Sequence, residues 1–257
     1  MNNKVALVTG GSRGIGFGIA TELAKAGFDL TINGVRDEES AKEALISLQS
    51  HGTKVTYAQG NIAKAEDRTA IIEKVLADHG RLNVLVNNAG VAPKVRKDML
   101  EIEEDDFDYM MSINQKGTFF LTQKVAKELI KQKEGNDDFE AMIINITSIS
   151  ARTASTQRIE YCMAKASLSI MSSSFAVKMA DYGIPVYEVQ PGVIETDMTT
   201  VVKDKYTKMA EDGLVLEKRM GKPADIGKVV ASLATGGLPY CTGQIIVPDG
   251  GLGIMRL

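Results

Sequence analysis

The chain has 257 residues, 44% of them hydrophobic and 25% charged, and its formal net charge is −3. The length allows one large α/β domain or two small ones. The net charge argues against a nucleic-acid-binding protein, which normally carries a basic excess. No apolar run approaches the roughly 18 residues that span a bilayer, so we expect no membrane partner.

Cys162 and Cys241 have no Cys or His residues close to them in sequence. The sequence therefore predicts neither a disulfide framework nor a metal site. The apolar run at residues 4–9 is only long enough for a strand and leads directly into glycines, so we expect no leader peptide. Together these features predict a cytoplasmic protein.

Short apolar runs alternate with amphipathic stretches along the chain. The runs predict strands at residues 5–9, 30–34, 55–58, 82–87, 142–147, 186–190 and 245–247. The stretches between them predict helices at residues 16–26, 38–50, 65–79, 106–132, 157–181 and 223–235. Such alternation forms βαβ units with right-handed crossovers and a mainly parallel sheet. No repeat or linker divides the chain, so we predict an α/β, single-domain Rossmann fold over residues 1–257. It is a doubly wound parallel sheet of about seven strands with helices on both faces.

Residues 195–222 interrupt this alternation with a long polar segment after the sixth predicted strand. In an open parallel sheet, ligands bind outside the carboxyl ends of the strands. Long loops at such places are usually functional or disordered. We therefore predict a substrate lid over residues 195–222, with an ordinary surface loop as the alternative.

A glycine-rich turn, TGGSRGIG at residues 9–16, joins the first predicted strand to the first helix. Glycine allows a tight turn and a close approach of phosphate oxygens to the backbone. The helix that follows offers unpaired N–H groups and the positive end of its dipole. Placement directly after the first strand is the context that supports such a motif. The turn predicts a dinucleotide site, with a ligand-free turn as the alternative.

The end of the second predicted strand bears on the choice between NAD and NADP. In NAD-binding units an acid at this place bonds the ribose hydroxyls, whereas an Arg accommodates a 2′-phosphate. Asn33 and Gly34 stand here without a carboxylate, and Arg36 and Arg13 supply positive charge. We interpret Asp37 as the cap of the next helix. The pattern predicts NADP(H) in preference to NAD(H).

Tyr161 and Lys165 stand four residues apart on a predicted helix and so share one face. Alone, this pair is a frequent chance match. A neighbouring ammonium favours the phenolate and lowers the pKa of a Tyr, toward the range useful for proton transfer. Ser148, thirteen residues before Tyr161, can hydrogen-bond a substrate oxygen and share its developing charge. Next to a dinucleotide site, the three residues predict acid/base chemistry at a C–O centre.

With these motifs in order, the chain resembles the short-chain dehydrogenase/reductase family from end to end. Further motifs of the family match NNAG at residues 87–90, NQKG at 114–117 and PGVIET at 191–196. The resemblance implies reversible hydride transfer between a nicotinamide and a carbonyl or secondary alcohol. It implies catalysis by Asn114, Ser148, Tyr161 and Lys165, with Asn114 holding a water in a proton relay.

The resemblance also implies which residues hold the cofactor. They are Gly10, Ser12, Arg13, Gly14, Ile15, Gly16, Arg36, Asn61, Ile62, Asn88, Ala89, Gly90, Tyr161, Lys165, Pro191, Gly192, Ile194 and Thr196. Asn61 departs from the acid that usually meets the adenine at this place. An Asn side chain still donates and accepts hydrogen bonds, so we expect adenine binding to be retained.

Within the family the pattern is similar to that of 3-oxoacyl-[acyl-carrier-protein] reductases, which implies possible reduction of 3-oxoacyl thioesters. Those enzymes dock an acidic carrier protein on basic residues near the mouth of the active site. The corresponding places here hold Phe139, within an acidic stretch, and Tyr182, beside Asp181. Since like charges repel across an interface, this difference argues against a carrier-protein substrate.

Other interpretations remain open at this point. The fold could serve a non-catalytic dinucleotide sensor, or a sugar-nucleotide epimerase, which also uses Tyr-x-x-x-Lys. A reductase could act on a sugar acid or polyol, with Arg96, Arg152 or Arg158 binding an anionic group. The resemblance implies a homotetramer or homodimer. The apolar residues Met163, Leu168, Met171 and Phe175 fit either an interface or the core of one chain.

Overall fold

The computed structural model describes residues 3–197 and 203–256. All seven strands pair in one parallel sheet in the order β3-β2-β1-β4-β5-β6-β7. They are β1 (Val5–Thr9), β2 (Asp29–Gly34), β3 (Val55–Gln59), β4 (Val84–Asn87), β5 (Met142–Ile146), β6 (Val186–Val189) and β7 (Ile245–Ile246). The chain order reverses between β1 and β4, which is where open α/β sheets bind dinucleotides. The predicted fold class is confirmed.

Helices cover both faces of the sheet. They are α1 (Gly14–Lys25), α2 (Lys42–Gln49), α3 (Ala65–His79), α4 (Glu104–Met110), α5 (Thr118–Lys133), α6 (Ile159–Ala180), α7 (Lys203–Met209) and α8 (Pro223–Ala234). Short 3₁₀ turns at Glu39–Ala41 and Ile149–Ala151 precede α2 and α6. The predicted helix at residues 38–50 therefore begins with a 3₁₀ turn.

Strand alternation separates the core into two layers. In β1, Ala6 and Val8 face a layer formed with α1, α2 and α8. Val5 and Leu7 face the other layer, with α3, α5 and α6. Both faces of β1 are buried, as a parallel sheet covered by helices requires.

Glycines allow α1 and α8 to approach each other closely. A Cβ at Gly18 would overlap the backbone of Pro223, and one at Gly227 would overlap the Gly18 carbonyl. Because α1 follows the glycine-rich turn directly, this contact fixes the direction of that helix against the sheet.

The helix predicted at residues 106–132 is three segments. Between α4 and α5 the backbone forms a π-helical turn over Met111–Gly117. A π turn adds a residue to one helical turn, and it is frequent at functional sites. Apolar periodicity could not reveal it, because the sequence stays helical on both sides. Its buried member Asn114 is one of the predicted catalytic residues.

The segment at residues 195–222 contains regular structure. Residues 198–202 lie outside the described part of the chain, so the predicted lid can be described only in part. After them come α7 and a π-helical turn at Ala210–Leu214. A β-bridge between Ile194 and Gly221 joins the two ends of the segment. The two ends of the segment therefore lie side by side between β6 and α8.

Neither a membrane-spanning helix nor a metal-binding cluster is found in residues 3–197 and 203–256. No helix there is long and apolar enough to cross a bilayer, and no three His, Cys, Asp or Glu side chains lie together as a possible metal site. Cys162 and Cys241 are free thiols.

Candidate active site

The predicted site residues converge on one edge of the sheet. Parallel strands bring all their carboxyl ends to the same edge. The glycine turn follows β1, Asn88–Gly90 follow β4, Ser148 follows β5 and Pro191 follows β6. The segments from different parts of the sequence therefore share one cleft.

The glycine turn is held by its neighbour at the end of β4. Asn88 Nδ2 donates to the carbonyls of Thr9 at 2.8 Å and Gly10 at 3.2 Å. In return, Thr9 Oγ1 accepts from the backbone N–H groups of Asn88 and Ala89 at 3.0 and 2.9 Å. Gly10 has φ 63°, a left-handed conformation that favours glycine. A Cβ at Gly16 would overlap the Gly10 carbonyl and the Asn88 amide, so the turn packs on itself without space for a side chain.

The start of α1 is suited to an anion. Arg13 is its N-cap, makes no side-chain capping bond, and no acid stands in the first turn. The first N–H groups of a helix have no intrahelical partner and carry partial positive charge. Ser12 and Ile15 flank them, both partly buried, and the Arg13 guanidinium is exposed, 3.8 Å from the Asp197 carboxylate. This cradle fits the diphosphate of a dinucleotide.

At the end of β2, where the sequence shows no acid, the hydroxyl of Tyr57 lies beside Gly34. Tyr57 OH donates to the Arg36 carbonyl at 2.7 Å. A Cβ at Gly34 would lie 2.6 Å from the Tyr57 hydroxyl oxygen. Asp37 Oδ1 instead accepts from the N–H of Ser40 at 2.9 Å. The hydrogen bond from the Ser40 hydroxyl, followed by the one from the Ser40 N–H, lowers the pKa of Asp37. The Asp37 side chain thus caps the following 3₁₀ turn, but the N-cap residue of that turn is Glu38 and not Asp37 as predicted. The Arg36 side chain is exposed.

Asn61 and Ile62 follow β3 and have different surroundings from each other. Asn61 Oδ1 accepts from the Ala63 N–H at 3.0 Å, so it closes a local turn. Ile62 is a core residue, and its carbonyl accepts from Arg68 Nη1 at 2.6 Å. Since the Ile62 side chain is buried in the layer with α3 and α5, only its backbone is available to a cofactor.

Asn114 is fully buried in the π turn and bonds the loop after β4. Its Oδ1 accepts from the Val91 N–H at 2.8 Å, and its Nδ2 donates to the Val91 carbonyl at 2.9 Å. A methyl group at Gly90 would lie 3.2 Å from Asn114 Oδ1 and 3.8 Å from Lys165 Nζ. Gly90 therefore leaves free the space between these two side chains and the backbone.

Ser148 and Tyr161 face each other across the start of α6. Burial is the largest influence on Tyr161 and raises the pKa of its phenol, while a hydrogen bond with Ser148 and the charge of Arg158 act to lower it. The sequence led us to expect a lowered pKa caused by Lys165. In the structure the Lys165 ammonium stands 5.8 Å from the ring centroid, and burial prevails over the nearby positive charges.

Lys165 is a buried ammonium, only 5% exposed. Its Nζ donates to the Ile146 carbonyl at the end of β5, at 3.1 Å. Burial lowers the pKa of Lys165 to about 8, and the charge of Glu188 opposes that change. Its proton is therefore held more weakly than that of an ordinary lysine.

The segment after β6 packs against both the glycine turn and the chain's end. A Cβ at Gly14 would lie 3.5 Å from Thr196 Cγ2, so Thr196 stands beside the glycine turn. A Cβ at Gly192 would lie 2.8 Å from Asp249 Cα, which shows how closely the terminal segment packs here. Ile194 is buried and pairs with Gly221.

Of the three arginines considered as anion ligands, one lies at the site. The Arg158 guanidinium stands 5.5 Å from the Tyr161 ring centroid and is partly buried. Arg152 is exposed near Gly253. Arg96 is exposed in the loop after β4, and no contact joins it to the other site residues within residues 3–197 and 203–256.

The places compared with carrier-docking residues lie elsewhere. Phe139 precedes β5 and Tyr182 follows α6, so both lie at the amino edge of the sheet, opposite Ser148. Tyr182 is 21 residues after Tyr161 along a helix, or roughly 30 Å at 1.5 Å per residue. Both side chains pack against the core. From the sequence we took Phe139 and Tyr182 to lie near the mouth of the active site of this chain. Within this chain that placement was wrong.

Comparison with known proteins agrees with this geometry. The family model described as enoyl-(acyl carrier protein) reductase matches residues 10–253. The chain belongs to the short-chain dehydrogenase/reductase family. A 3-oxoacyl-[acyl-carrier-protein] reductase FabG of Staphylococcus epidermidis is 34% identical over 252 residues, covering 97% of this chain and 99% of its own.

Solved structures extend the comparison. A 3-oxoacyl-[acyl-carrier protein] reductase from Brucella melitensis in complex with NAD is 40% identical, covers 100% of both chains and has a TM-score of 0.95. A putative gluconate dehydrogenase from Agrobacterium tumefaciens is 27% identical over 99% of this chain and 98% of its own, with a TM-score of 0.88. This short-chain dehydrogenase/reductase is thus a nicotinamide-dependent oxidoreductase. The relatives named here are reductases and a putative dehydrogenase, in line with this activity.

The sequence did not reveal the supporting polar residues of this reductase site. Asn87 Nδ2 donates to Asn145 Oδ1 at 2.8 Å, and Asn145 Nδ2 donates to Ser172 Oγ at 2.9 Å, which ties β4, β5 and α6 together. Glu188 is buried in β6 among hydroxyl and amide groups. The sequence offered one signal for these residues: each is a polar residue inside a run that is otherwise apolar enough to form a buried strand.

Proposed function

We propose that this enzyme reduces the 3-oxo group of an acyl thioester with a nicotinamide cofactor. The observation that carries the proposal is the meeting of Ser148, Tyr161, Lys165 and Asn114 beside the glycine turn, in a chain related to two 3-oxoacyl thioester reductases. The same residues support the reverse oxidation of a secondary alcohol.

In this proposal each polar residue has one task. The cofactor, held by the glycine turn and the N-terminus of α1, supplies the hydride. Ser148 orients the substrate oxygen, and Tyr161 donates the proton to it from a phenol that its buried setting keeps protonated. Hydrogen-bond donors placed where negative charge develops stabilise the transition state.

Lys165 and Asn114 complete the proton path. The buried Lys165 ammonium favours the phenolate that Tyr161 becomes after proton transfer, and it binds the nicotinamide ribose. Asn114 holds a water that connects Lys165 to solvent. The remaining contacts to a bound cofactor would come from Ala89, Gly90, Pro191, Gly192, Ile194 and Thr196.

We propose NADP(H) as the preferred cofactor. The support is local: no carboxylate stands at Asn33 or Gly34, Asp37 is occupied with Ser40, and Arg36 is exposed at the end of β2. The Brucella relative was solved with NAD, which makes measurement with both cofactors the decisive comparison.

Lid motion and location are part of the same proposal. We propose that residues 195–222 close over the substrate, since the bridge between Ile194 and Gly221 leaves the segment between them anchored at both ends. The whole chain acts as one domain, and we place it in the cytoplasm.

A homotetramer or homodimer is proposed from an exposed apolar stripe on α6. Met163, Ile170 and Val177 are 48%, 67% and 78% exposed and recur every seven residues along one face. Phe119 and Phe120 of α5 are also partly exposed, and Phe119 packs 5.9 Å from Phe175 of α6. A contiguous apolar face of this kind marks an interaction site. Light scattering of Ile170→Glu against wild type tests it; an unchanged mass would contradict it.

A sugar acid is the second candidate substrate. The Arg158 guanidinium lies over the Tyr161 ring, and no carboxylate lies within ion-pair distance of it among the described residues. Such a group can bind a substrate carboxylate, and one structural relative is a putative gluconate dehydrogenase.

One panel tests these proposals together. Oxidation of NADPH and NADH is followed at equal concentrations with acetoacetyl-CoA, acetoacetyl-carrier protein, keto-sugar acids and simple ketones. We expect the highest kcat/KM with a 3-oxoacyl thioester and NADPH. Preference for a keto-sugar acid would favour the second candidate. Cofactor binding without turnover of any carbonyl would contradict the proposed function.

A further inference from the structure

Glu188 is a carboxylate in the middle of the sheet that the proposed reaction does not use. It lies in β6, is 2% exposed, and pairs in register with Asn145 of β5. Removing a carboxylate from water is costly unless it is hydrogen-bonded or paired with a positive charge. A residue of this kind in a buried strand therefore requires a physical explanation.

Three donors surround the Glu188 carboxylate. Thr147 Oγ1 donates to Oε1 at 2.5 Å, and Gln190 Nε2 donates to the same oxygen at 2.8 Å. Ser169 Oγ of α6 donates to Oε2 at 2.8 Å. Each of these three bonds brings a hydrogen atom to a carboxylate oxygen, so both oxygens of the buried side chain have donors.

The same face of α6 carries the buried cation of the site. Lys165 and Ser169 are four residues apart and so lie one turn from each other on one side of the helix. Lys165 Nζ bonds the Ile146 carbonyl, and Ile146 pairs with Val189, the neighbour of Glu188. The ammonium and the carboxylate therefore occupy one strip between α6 and the ends of β5 and β6.

We propose that Glu188 is a positioning residue that keeps Lys165 protonated under the reacting phenol. It touches neither substrate nor cofactor in this proposal and acts through Lys165. The inference rests on the proposed role of Lys165 in catalysis.

Among the residues that the structure describes, the other groups around Lys165 do not supply the counter-charge. From α6 the Tyr161 ring faces it, with Arg158 over that ring; from β5 comes the neutral Ile146 carbonyl, and from the π turn the neutral Asn114 amide. Burial lowers the pKa of Lys165, and the charge of Glu188 is the influence that raises it. Without that charge the pKa of Lys165 would fall further.

The test is Glu188→Gln, which keeps the side-chain shape and removes the charge. The pH profile of kcat for carbonyl reduction and the pH dependence of the NADPH dissociation constant are measured together. Since the protonated lysine is the active form, we expect the alkaline limb to move to lower pH by about one unit or more. Ser169→Ala, which keeps the charge, is expected to leave the limb in place. Glu160→Gln is the matched charge control, because it removes a buried carboxylate that lies on α6 instead of β6.

If Glu188→Gln folds and the alkaline limb of its pH profile stays at the wild-type pH, the inference is overturned. The proposed function would then be unaffected. An equal displacement in Glu160→Gln would also overturn it. If Glu188→Gln fails to fold, Glu188→Asp carries the test, since it withdraws the charge from α6 by one methylene: a limb moved to lower pH supports the inference, and an unmoved limb contradicts it. If wild type consumes no NADPH with any carbonyl, the proposed function fails, and the pH dependence of NADPH binding still decides the role of Glu188.

Discussion

Around β1 the site is made of backbone, whereas around β5 and β6 it is made of buried polar side chains. The glycine turn leaves no room for a Cβ at Gly16 and takes its shape from bonds to main-chain carbonyls. The chemical end instead buries Lys165 and Glu188 beside hydroxyl and amide groups.

The difference predicts two kinds of sensitivity. A backbone cradle responds to added volume, because packed interiors cannot absorb an extra group without strain. A buried polar cluster responds to a lost proton or charge, even when the shape is kept. Substitutions of opposite character can therefore separate cofactor binding from chemistry.

Tyr161→Phe should cause the largest effect. It removes one hydroxyl and retains the ring, so the proton donor is lost while the packing on α6 stays. We expect kcat for carbonyl reduction to fall about 10²- to 10⁴-fold, with the NADPH dissociation constant nearly unchanged. Steady-state kinetics and fluorescence titration of NADPH measure the two quantities.

Tyr187→Phe is the matched control for this substitution. Tyr187 is a core residue of β6 facing the layer with α1 and α8, so we expect wild-type kcat. If Tyr161→Phe kept its full kcat, the division between a binding end and a chemical end would be lost.

Gly16→Ala should act on the other end. The new methyl group would overlap the Gly10 carbonyl and the Asn88 amide, which costs about 1–3 kcal/mol as overpacking. A displaced turn no longer fits the diphosphate, and a cost of about 1–3 kcal/mol corresponds to about 5- to 150-fold in affinity. We expect the loss in NADPH affinity, measured by fluorescence titration, and a lower unfolding temperature.

Gly60→Ala provides the comparison for volume. A Cβ there would lie 3.0 Å from Ile71 Cδ1 and 3.3 Å from Asp67 Cβ, so its neighbours need to shift far less than those of Gly16. We expect NADPH affinity close to that of wild type. Equal losses in both variants would mean that added volume anywhere near the sheet edge weakens binding.

The sequence predicted the cofactor end better than the support of the chemical end. A turn between the first strand and helix is a local feature, so residues 9–16 could be located from their spacing alone. Ser148, Tyr161 and Lys165 could be found from the family resemblance. Their convergence with Asn114 follows from the parallel sheet, which was also predicted.

What could not be predicted depends on contacts between distant segments. The π turn that directs Asn114 toward Val91 leaves no trace in apolar periodicity. The effect of burial on the pKa of Tyr161 depends on how α6 covers the end of β5. Glu188 could be seen as an anomaly within a strand, but its partner Ser169 becomes visible only when α6 lies over β6.

Arg36→Ala should give the smallest effect, because the side chain is exposed and one salt-screened contact is lost. We expect the NADPH dissociation constant to rise about 10-fold, which corresponds to about 1.4 kcal/mol, with little change for NADH. Lys74→Ala removes an exposed cation near the far end of α3, where it pairs with Asp78 at 2.7 Å, and should leave both constants unchanged. If Arg36→Ala weakened the binding of NADPH and NADH equally, Arg36 would not be a ligand of the 2′-phosphate. The cofactor end would then bind its ligand through backbone groups alone, and the contrast with the chemical end would become sharper.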